Sequence, residues 1–368
     1  MSKIVEPKVE IIGKKKHQYK FTLSNVNISV ANAIRRTILT DIQTVVIDPD
    51  NIEIIKNTTQ FNNEILCQRL ACIPVHIKDL SKSVDNLMLE IHVNNDTEYM
   101  REITTKDFKL KETNQNKFLN EDNRETIFPK NSITDDYIVF SRLKPKITNE
   151  IPGETLHIQA TFKIVTAKEN GAYNVVSTCA YGYTLDQAKI ADAEQEFQAK
   201  LEEKKLNDDD ITDKMINWNN HAKKRCYKEN SYDFTLESIG VWKNREIISM
   251  ACDVLLNKLN KISHLNKEQK IKIQETHIAL KNGYDIELEN ETYTIGKLIE
   301  YVLHYEYLLN KKILSFVGFL KPHPHDSNSI IRLAFKSDDN TIDYIQDLIS
   351  QSIGICKNII SSIKTQFK

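Results

Sequence analysis

Cysteine is sparse in this chain and never paired. The six cysteines, Cys67, Cys72, Cys179, Cys226, Cys252 and Cys356, form no C-x-x-C element. That argues against a zinc ribbon or an iron–sulfur ligand set and favours reduced, mostly buried thiols. Surplus charge is missing too: 50 Lys plus Arg stand against 51 Asp plus Glu, a formal net charge of −1. A protein that wraps nucleic acid carries a basic excess, so DNA or RNA contact is not expected to be the main task. No apolar run approaches the ~20 residues of a membrane-spanning helix. Residues 1–20 are polar and basic, without a charged-then-apolar signal. G-x-S-x-G, P-loop and H-E-x-x-H patterns are absent. What remains is the expectation of a soluble, intracellular, non-catalytic protein, with 368 residues for two or three domains.

The most informative stretch is Phe21 to Asp48, FTLSNVNISVANAIRRTILTDIQTVVID. Phe21 and Leu23 alternate as in a strand, and Ser29 is placed to cap a helix starting at Val30. Val30, Ala33, Ile34 and Ile38 recur on one apolar face, whereas Asn32, Arg35, Arg36 and Thr40 fall on another. The apolar face has to be buried. The arginine face can be solvated or can meet a partner. β-Branched residues from Thr44 to Ile47 start a second strand, and Ile52 to Ile55 extends one.

Further along, Asn63 to Leu70 reads as a short helix ended near Pro74, and Leu87 to Val93 alternates as a half-exposed strand. Lys106 to Asn131 is polar and charged, the composition of a long loop or flap. Strands are expected at 138–140 and 155–165, with Ile151-Pro152-Gly153-Glu154 as the turn. Gln187 to Lys205 has helical spacing, and Asn207-Asp208-Asp209-Asp210 reads as a solvated turn that breaks it rather than as a metal site. Trp218 to Arg225 is a short helix, and Phe234 to Gly240 a strand entering a turn. A helix from Asn244 to Leu259 places Ile247, Ala251, Val254, Leu255 and Leu259 together.

The last hundred or so residues restart the pattern. Tyr284 to Leu288 is a strand; Thr292 or Thr294 caps a helix carrying Ile295, Leu298, Ile299, Val302 and Leu303 on one side. Strands at 313–319 and 330–335 follow, then a helix from Thr341 to Lys364 with Ile342, Ile345, Ile349, Cys356, Ile359 and Ile363 along its seam. His323 and His325 lie in a proline-bounded turn, read as a rigid hairpin rather than a metal edge. Neither α+β half hides its helical faces alone. Packing helices 30–40 and 244–259 against 294–304 and 341–364 across a pseudo-twofold axis is the economical arrangement.

The run N-x-S-x-A-N-A-x-R-R, then T-V-x-I-D, resembles the first helix of the alpha-like assembly subunits of multisubunit RNA polymerases. Asn57-Thr58-Thr59, Glu64 and Arg69-Leu70-Ala71-Cys72-Ile73-Pro74 are similar to that family's next motif, and Phe234-x-Leu236-Glu237-Ser238-x-Gly240 to its return strand. The segments 291–299 and 316–324 resemble signatures of the smaller partner, the eleventh subunit of polymerase II and archaeal subunit L. Ala71, Gln43 and Tyr293 depart from family residues, and no cysteine lies between Cys72 and Cys179, where many relatives carry a cluster.

The resemblance implies an α+β fold of two alpha-type dimerisation units forming an intramolecular pseudo-dimer. The expected divisions are 1–80, an inserted mainly β domain at 81–229, a return at 230–260, a linker at 261–271 and a second half at 272–368. Fused subunits of this kind resemble those of nucleocytoplasmic large DNA viruses, which implies a place in the host cytoplasm and the virion. The implied function is a non-catalytic platform on which the two large polymerase subunits and a small zinc-bearing subunit dock. Asn32, Arg35 and Arg36 would meet one large subunit; Gly296, Lys297, Pro322, His323 and Pro324 would meet the other. The pairing core would comprise Val30, Ala33, Ile34, Ile38, Ala251, Val254, Leu255, Ile295, Leu298, Ile299, Val302, Ile345 and Ile349. No cofactor, metal or membrane is expected. The alternatives are a stand-alone interaction scaffold of the same fold and a nucleic-acid-binding module.

Overall fold

The computed structural model describes residues 5–15, 18–80, 84–114, 116–148, 150–203, 207–276, 280–337 and 341–367. It opens with a hairpin, β1 (Lys8–Lys15) and β2 (Gln18–Ser24). Tyr19, Phe21 and Leu23 of β2 are all buried, the period-two burial of a strand with one covered face. Asn25, at φ 62°, turns the chain into α1 (Ile28–Thr40). The helix starts ahead of Val30 because Asn27, not Ser29, caps it: its Oδ1 accepts the Ser29 N–H at 2.9 Å and its carbonyl the Val30 N–H at 3.0 Å.

Next come β3 (Gln43–Asn57), α2 (Asn63–Ala71), β4 (Leu87–Asn94), β5 (Arg101–Thr104), β6 (Lys109–Glu112), β7 (Lys117–Phe118), α3 (Glu121–Ile127), β8 (Val139–Leu143) and β9 (Thr155–Thr166). The expected loop at 106–131 is therefore largely ordered. Its polar composition hid Phe108 and Leu110, which are buried at 1% exposure and anchor β6. Then follow β10 (Val176–Leu185), α4 (Gln187–Glu202), α5 (Asp208–Asn220), β11 (Tyr227–Ser238) and α6 (Asn244–Lys267). The three aspartates do not form a turn. Asn207 Oδ1 caps α5 by accepting the Asp210 N–H at 2.7 Å, and the acidic residues occupy its first turn, where the helix dipole favours them. Trp218, expected to open a short helix, lies in the last turn of α5, which runs to Asn220, and a 3₁₀ turn covers Ala222–Arg225. The expected helix end at Lys205 lies outside the described residues.

The chain closes with β12 (Ile273–Glu275), β13 (Gly283–Leu288), α7 (Tyr293–Val302), π-helical turns over Leu303–Asn310, β14 (Leu314–Leu320), β15 (Ser329–Phe335) and α8 (Ile342–Thr365). Residues 261–267, expected in a linker, are the end of α6, where Ile262 and Asn266 are buried. Ile342, expected on the α8 seam, is exposed.

Two compact units result. One comprises residues 39–177 and 238–243, the other the chain up to Ile38 with 178–237 and 244–368. The boundaries expected at 80 and 230 differ because β3 runs on past Pro49 into a strand of the first of these units, while β10 and α4 lie in the other. The unit at 39–177 holds an antiparallel sheet ordered β3-β9-β4-β6-β7 and the pair β5-β8. Leu66 and Leu70 of α2 join Leu89, Ile91, Ile158 and Phe162 in its core. The other unit holds two antiparallel sheets, β1-β2-β11-β10 and β12-β13-β15-β14. Their chain order is the same: hairpin, helix, two strands, long helix. Asn290, at φ 57°, stands before α7 as Asn25 stands before α1.

Candidate partner-binding faces

In α1, Val30, Ala33, Ile34 and Ile38 are buried as their spacing predicts, and Ala31 and Thr37 are buried beside them. The covered stripe is therefore wider than the apolar residues alone indicate. The two adjacent arginines diverge. Arg35 donates from Nε and Nη2 to Asn32 Oδ1, at 3.2 and 3.0 Å, so one polar side chain orients the other on a half-buried face. Burial pushes the Cys179 thiol up to about 12 and raises Tyr181, and the Arg35 charge opposes both shifts.

Arg36 does something else. Its Nε donates to Thr294 Oγ1 at 3.0 Å, joining α1 to the start of α7. Thr292 occupies the N-cap position of α7 without a side-chain capping bond, and Thr294 is the hydroxyl that Arg36 uses. Arg36 thus has a partner within the chain while staying half-buried like Arg35; helix geometry rotates consecutive residues by about 100°, which lets the neighbours reach different groups. Gly296 also departs from expectation. It is buried, and a Cβ there would lie 1.9 Å from the Phe319 ring, so it serves close packing rather than partner contact. Lys297 is half-exposed and pairs with Glu300 at 2.6 Å. Pro322, His323 and Pro324 are exposed. The His325 N–H donates to His323 Nδ1 at 3.1 Å, which tightens the turn.

Ala251, Leu255, Ile295, Leu298, Ile299, Val302, Ile345 and Ile349 are all buried, whereas Val254 is only half-buried. Cys252 and Ile248 take the covered positions on α6 instead, and burial pushes the Cys252 thiol up to about 12. Polar bonds at both ends orient α6 against α8. Asn266 Nδ2 donates to the Gln346 carbonyl and to Ser350 Oγ, each at 2.8 Å, and Lys364 pairs with Asp253. Residues late in α6 thus meet residues early in α8, so the two run antiparallel.

In the unit at 39–177, motif residues brace the fold. Asn57 Nδ2 donates to the Phe61 carbonyl at 2.8 Å and Asn57 Oδ1 accepts the Thr59 N–H at 2.9 Å, building the turn into α2. Arg69 donates to the carbonyls of Phe140 and Val139, at 2.9 and 3.2 Å, where β8 bulges out of register with β5. Gly153 packs so closely on the Asn95 carbonyl that a Cβ would sit 1.7 Å from its oxygen. Among the described residues, no cluster of three or more His, Cys, Asp or Glu is arranged to hold a metal, and no helix is long and apolar enough to cross a membrane.

A family model for the RNA polymerase Rpb3/Rpb11 dimerisation domain matches residues 20–259. The chain belongs to this family. DNA-directed RNA polymerase subunit Rpo3 of Methanosphaera stadtmanae is 25% identical over 281 residues, 71% of this chain and 99% of that protein. Rpo3 of Pyrococcus furiosus is 42% identical over 67 residues, 18% of this chain and 25% of that protein. A conjugation stage-specific protein of Tetrahymena thermophila is 22% identical over 301 residues, 69% of this chain and 93% of its own length. The family match takes in α1 and most of α6, and stops before α7 and α8. Thr294 was read as a candidate cap and not as the partner of Arg36, and Thr37 and Asn266 were beyond sequence reading, because isolated polar residues carry no period.

Proposed function

We propose that the chain is a non-catalytic assembly subunit of a multisubunit DNA-directed RNA polymerase, with the dimerisation partner carried on the same polypeptide. The observation that carries this reading is the repeated order β1-β2-α1-β10-β11-α6 and β12-β13-α7-β14-β15-α8 within one compact unit. Each repeat has helical faces that its own sheet cannot cover, and the two meet through Arg36–Thr294 and through α6 against α8. Likeness to Rpo3 over that protein's length supports the polymerase assignment.

In this reading the repeats form an intramolecular pseudo-dimer. The covalent link holds the second repeat near the first at an effective concentration of order millimolar, so pairing does not depend on matched expression. The largest and second-largest polymerase subunits dock on it, one on the Asn32–Arg35 face, the other near Lys297 and the Pro322-His323-Pro324 turn, with a small zinc-bearing subunit beside the first repeat.

Affinity purification of the tagged full chain from its native source, with identification of what co-elutes, tests the proposal. Two large polymerase subunits are expected. A chain that elutes without them overturns the polymerase reading. Arg35→Glu is expected to keep the fold and lose one large subunit; undiminished capture would remove this face from the assignment.

A further inference from the structure

The sheet β1-β2-β11-β10 ends on β1, and an edge strand presents unpaired N–H and C=O groups to any strand that fits. At Val9 this edge is occupied from within the chain. Gln366 Oε1 accepts the Val9 N–H at 2.8 Å, and Gln366 Nε2 donates to the Pro7 carbonyl at 2.8 Å. A carboxamide presents an N–H and a C=O in the spacing of a peptide group, and the second N–H of Gln366 donates to the Ser362 carbonyl at 3.2 Å, so this side chain stands where the next strand would. Phe367 fixes it there, 4% exposed and edge-on to Phe21 with ring centroids 5.0 Å apart.

The edge so covered is self-complementary. An antiparallel second β1 centred on Val9 would set Lys8 of each copy opposite Glu10 of the other, and Pro7 opposite Ile11. Lys8 and Glu10 are both exposed, and Ile11 and Ile12 expose 42% and 56% of their surface on the same strand. We propose that Gln366 is an edge guard that prevents β1 from pairing with β1 of a second copy of this chain. Loss of the guard exposes a symmetric interface with matched charges.

Sedimentation velocity on the full chain tests this. Gln366→Ala is expected to self-associate about tenfold more tightly than the parent chain, the change that ~1.4 kcal/mol produces. Adding Lys8→Glu sets like charges across the pair and returns a monomer; adding Glu10→Lys as well restores the dimer. Far-UV circular dichroism checks each variant's fold, and Gln366→Glu, which keeps the acceptor but repels the Pro7 carbonyl, gives the same series should Gln366→Ala fail to fold. Variants that stay as monomeric as the parent, or a dimer indifferent to the charge swaps, would overturn the proposal.

Discussion

Between α1 and β10 the first strand–helix repeat carries residues 41–175, whereas between α7 and β14 the second carries only 303–313. A second difference follows the same pattern: α4 and α5 separate β10 from β11, while a short turn joins β14 to β15. Both additions enter where the chain leaves the packed layer, and each has side-chain packing of its own. The long one has its own core around Leu89, Ile158 and Phe162, and the helical one stacks Phe197 on Trp218 with ring centroids 6.0 Å apart. Loop-closure entropy grows only slowly with length, so a segment that folds by itself adds little cost to the repeat that holds it. The short crossover is constrained instead. Its π-helical turns bring the Lys311 N–H to the Glu306 carbonyl at 2.9 Å, and the Tyr307 hydroxyl donates to Gln351 Oε1 at 2.9 Å.

If the repeats share one core while the unit at 39–177 stands on its own, a lesion in the shared core should separate them. Ile299→Asp buries an unpaired carboxylate at a fully covered position and is expected to cost about 4–5 kcal/mol. Calorimetry should show the transition of the repeat unit lost and that of the unit at 39–177 retained; loss of both would mean the two do not fold separately. Next in size, Gly296→Ala drives a methyl group into the Phe319 ring and should destabilise by about 1–3 kcal/mol. In α8 the opposite holds: Gly354 has open space for a Cβ, so Gly354→Ala should stabilise by about 0.5–1 kcal/mol, read as a raised Tm.

The arginines sharpen the comparison further. Arg36→Ala removes the bond to Thr294 and should lower stability by about 1 kcal/mol, whereas Arg35→Ala should leave the unfolding midpoint nearly unchanged. Equal effects would deny the division of labour between the two.

Acid probes the unit at 39–177 through Asp48. Burial raises the Asp48 carboxyl, but the bonds from Lys163, Asn51 and the Asp50 N–H outweigh it and hold the group below its ordinary 3.8. Since the folded value is the lower one, the group stabilises the fold above its unfolded value, and this contribution disappears as pH falls through the folded value. Asp48→Asn should therefore be less stable than the parent at neutral pH and converge with it in strong acid, as urea midpoints across that range will report.

Legibility followed period and length. Strands β2, β4, β13 and β15 and helices α1, α2, α7 and α8 stand close to where alternation and 3.6-residue spacing predict. The buried faces of α7 and α8 were readable almost residue by residue because Ile and Leu recur there without interruption. Short elements escaped: β6 rests on Phe108 and Leu110 within a charged stretch, too few residues to establish a period. Val254 misled because it sits at the margin of the α6 stripe, where Cys252 packs better.

Sequence alone determined the apolar stripes and the motif order of the family, since these depend on neighbours within a few positions. Only the tertiary structure decided what each polar residue does. Arg35 and Arg36 are chemically identical and adjacent, yet one orients Asn32 and the other bonds Thr294, 258 positions away. Such assignments depend on which surfaces meet after folding, and a hydrogen bond between distant residues leaves no periodic trace in either of them.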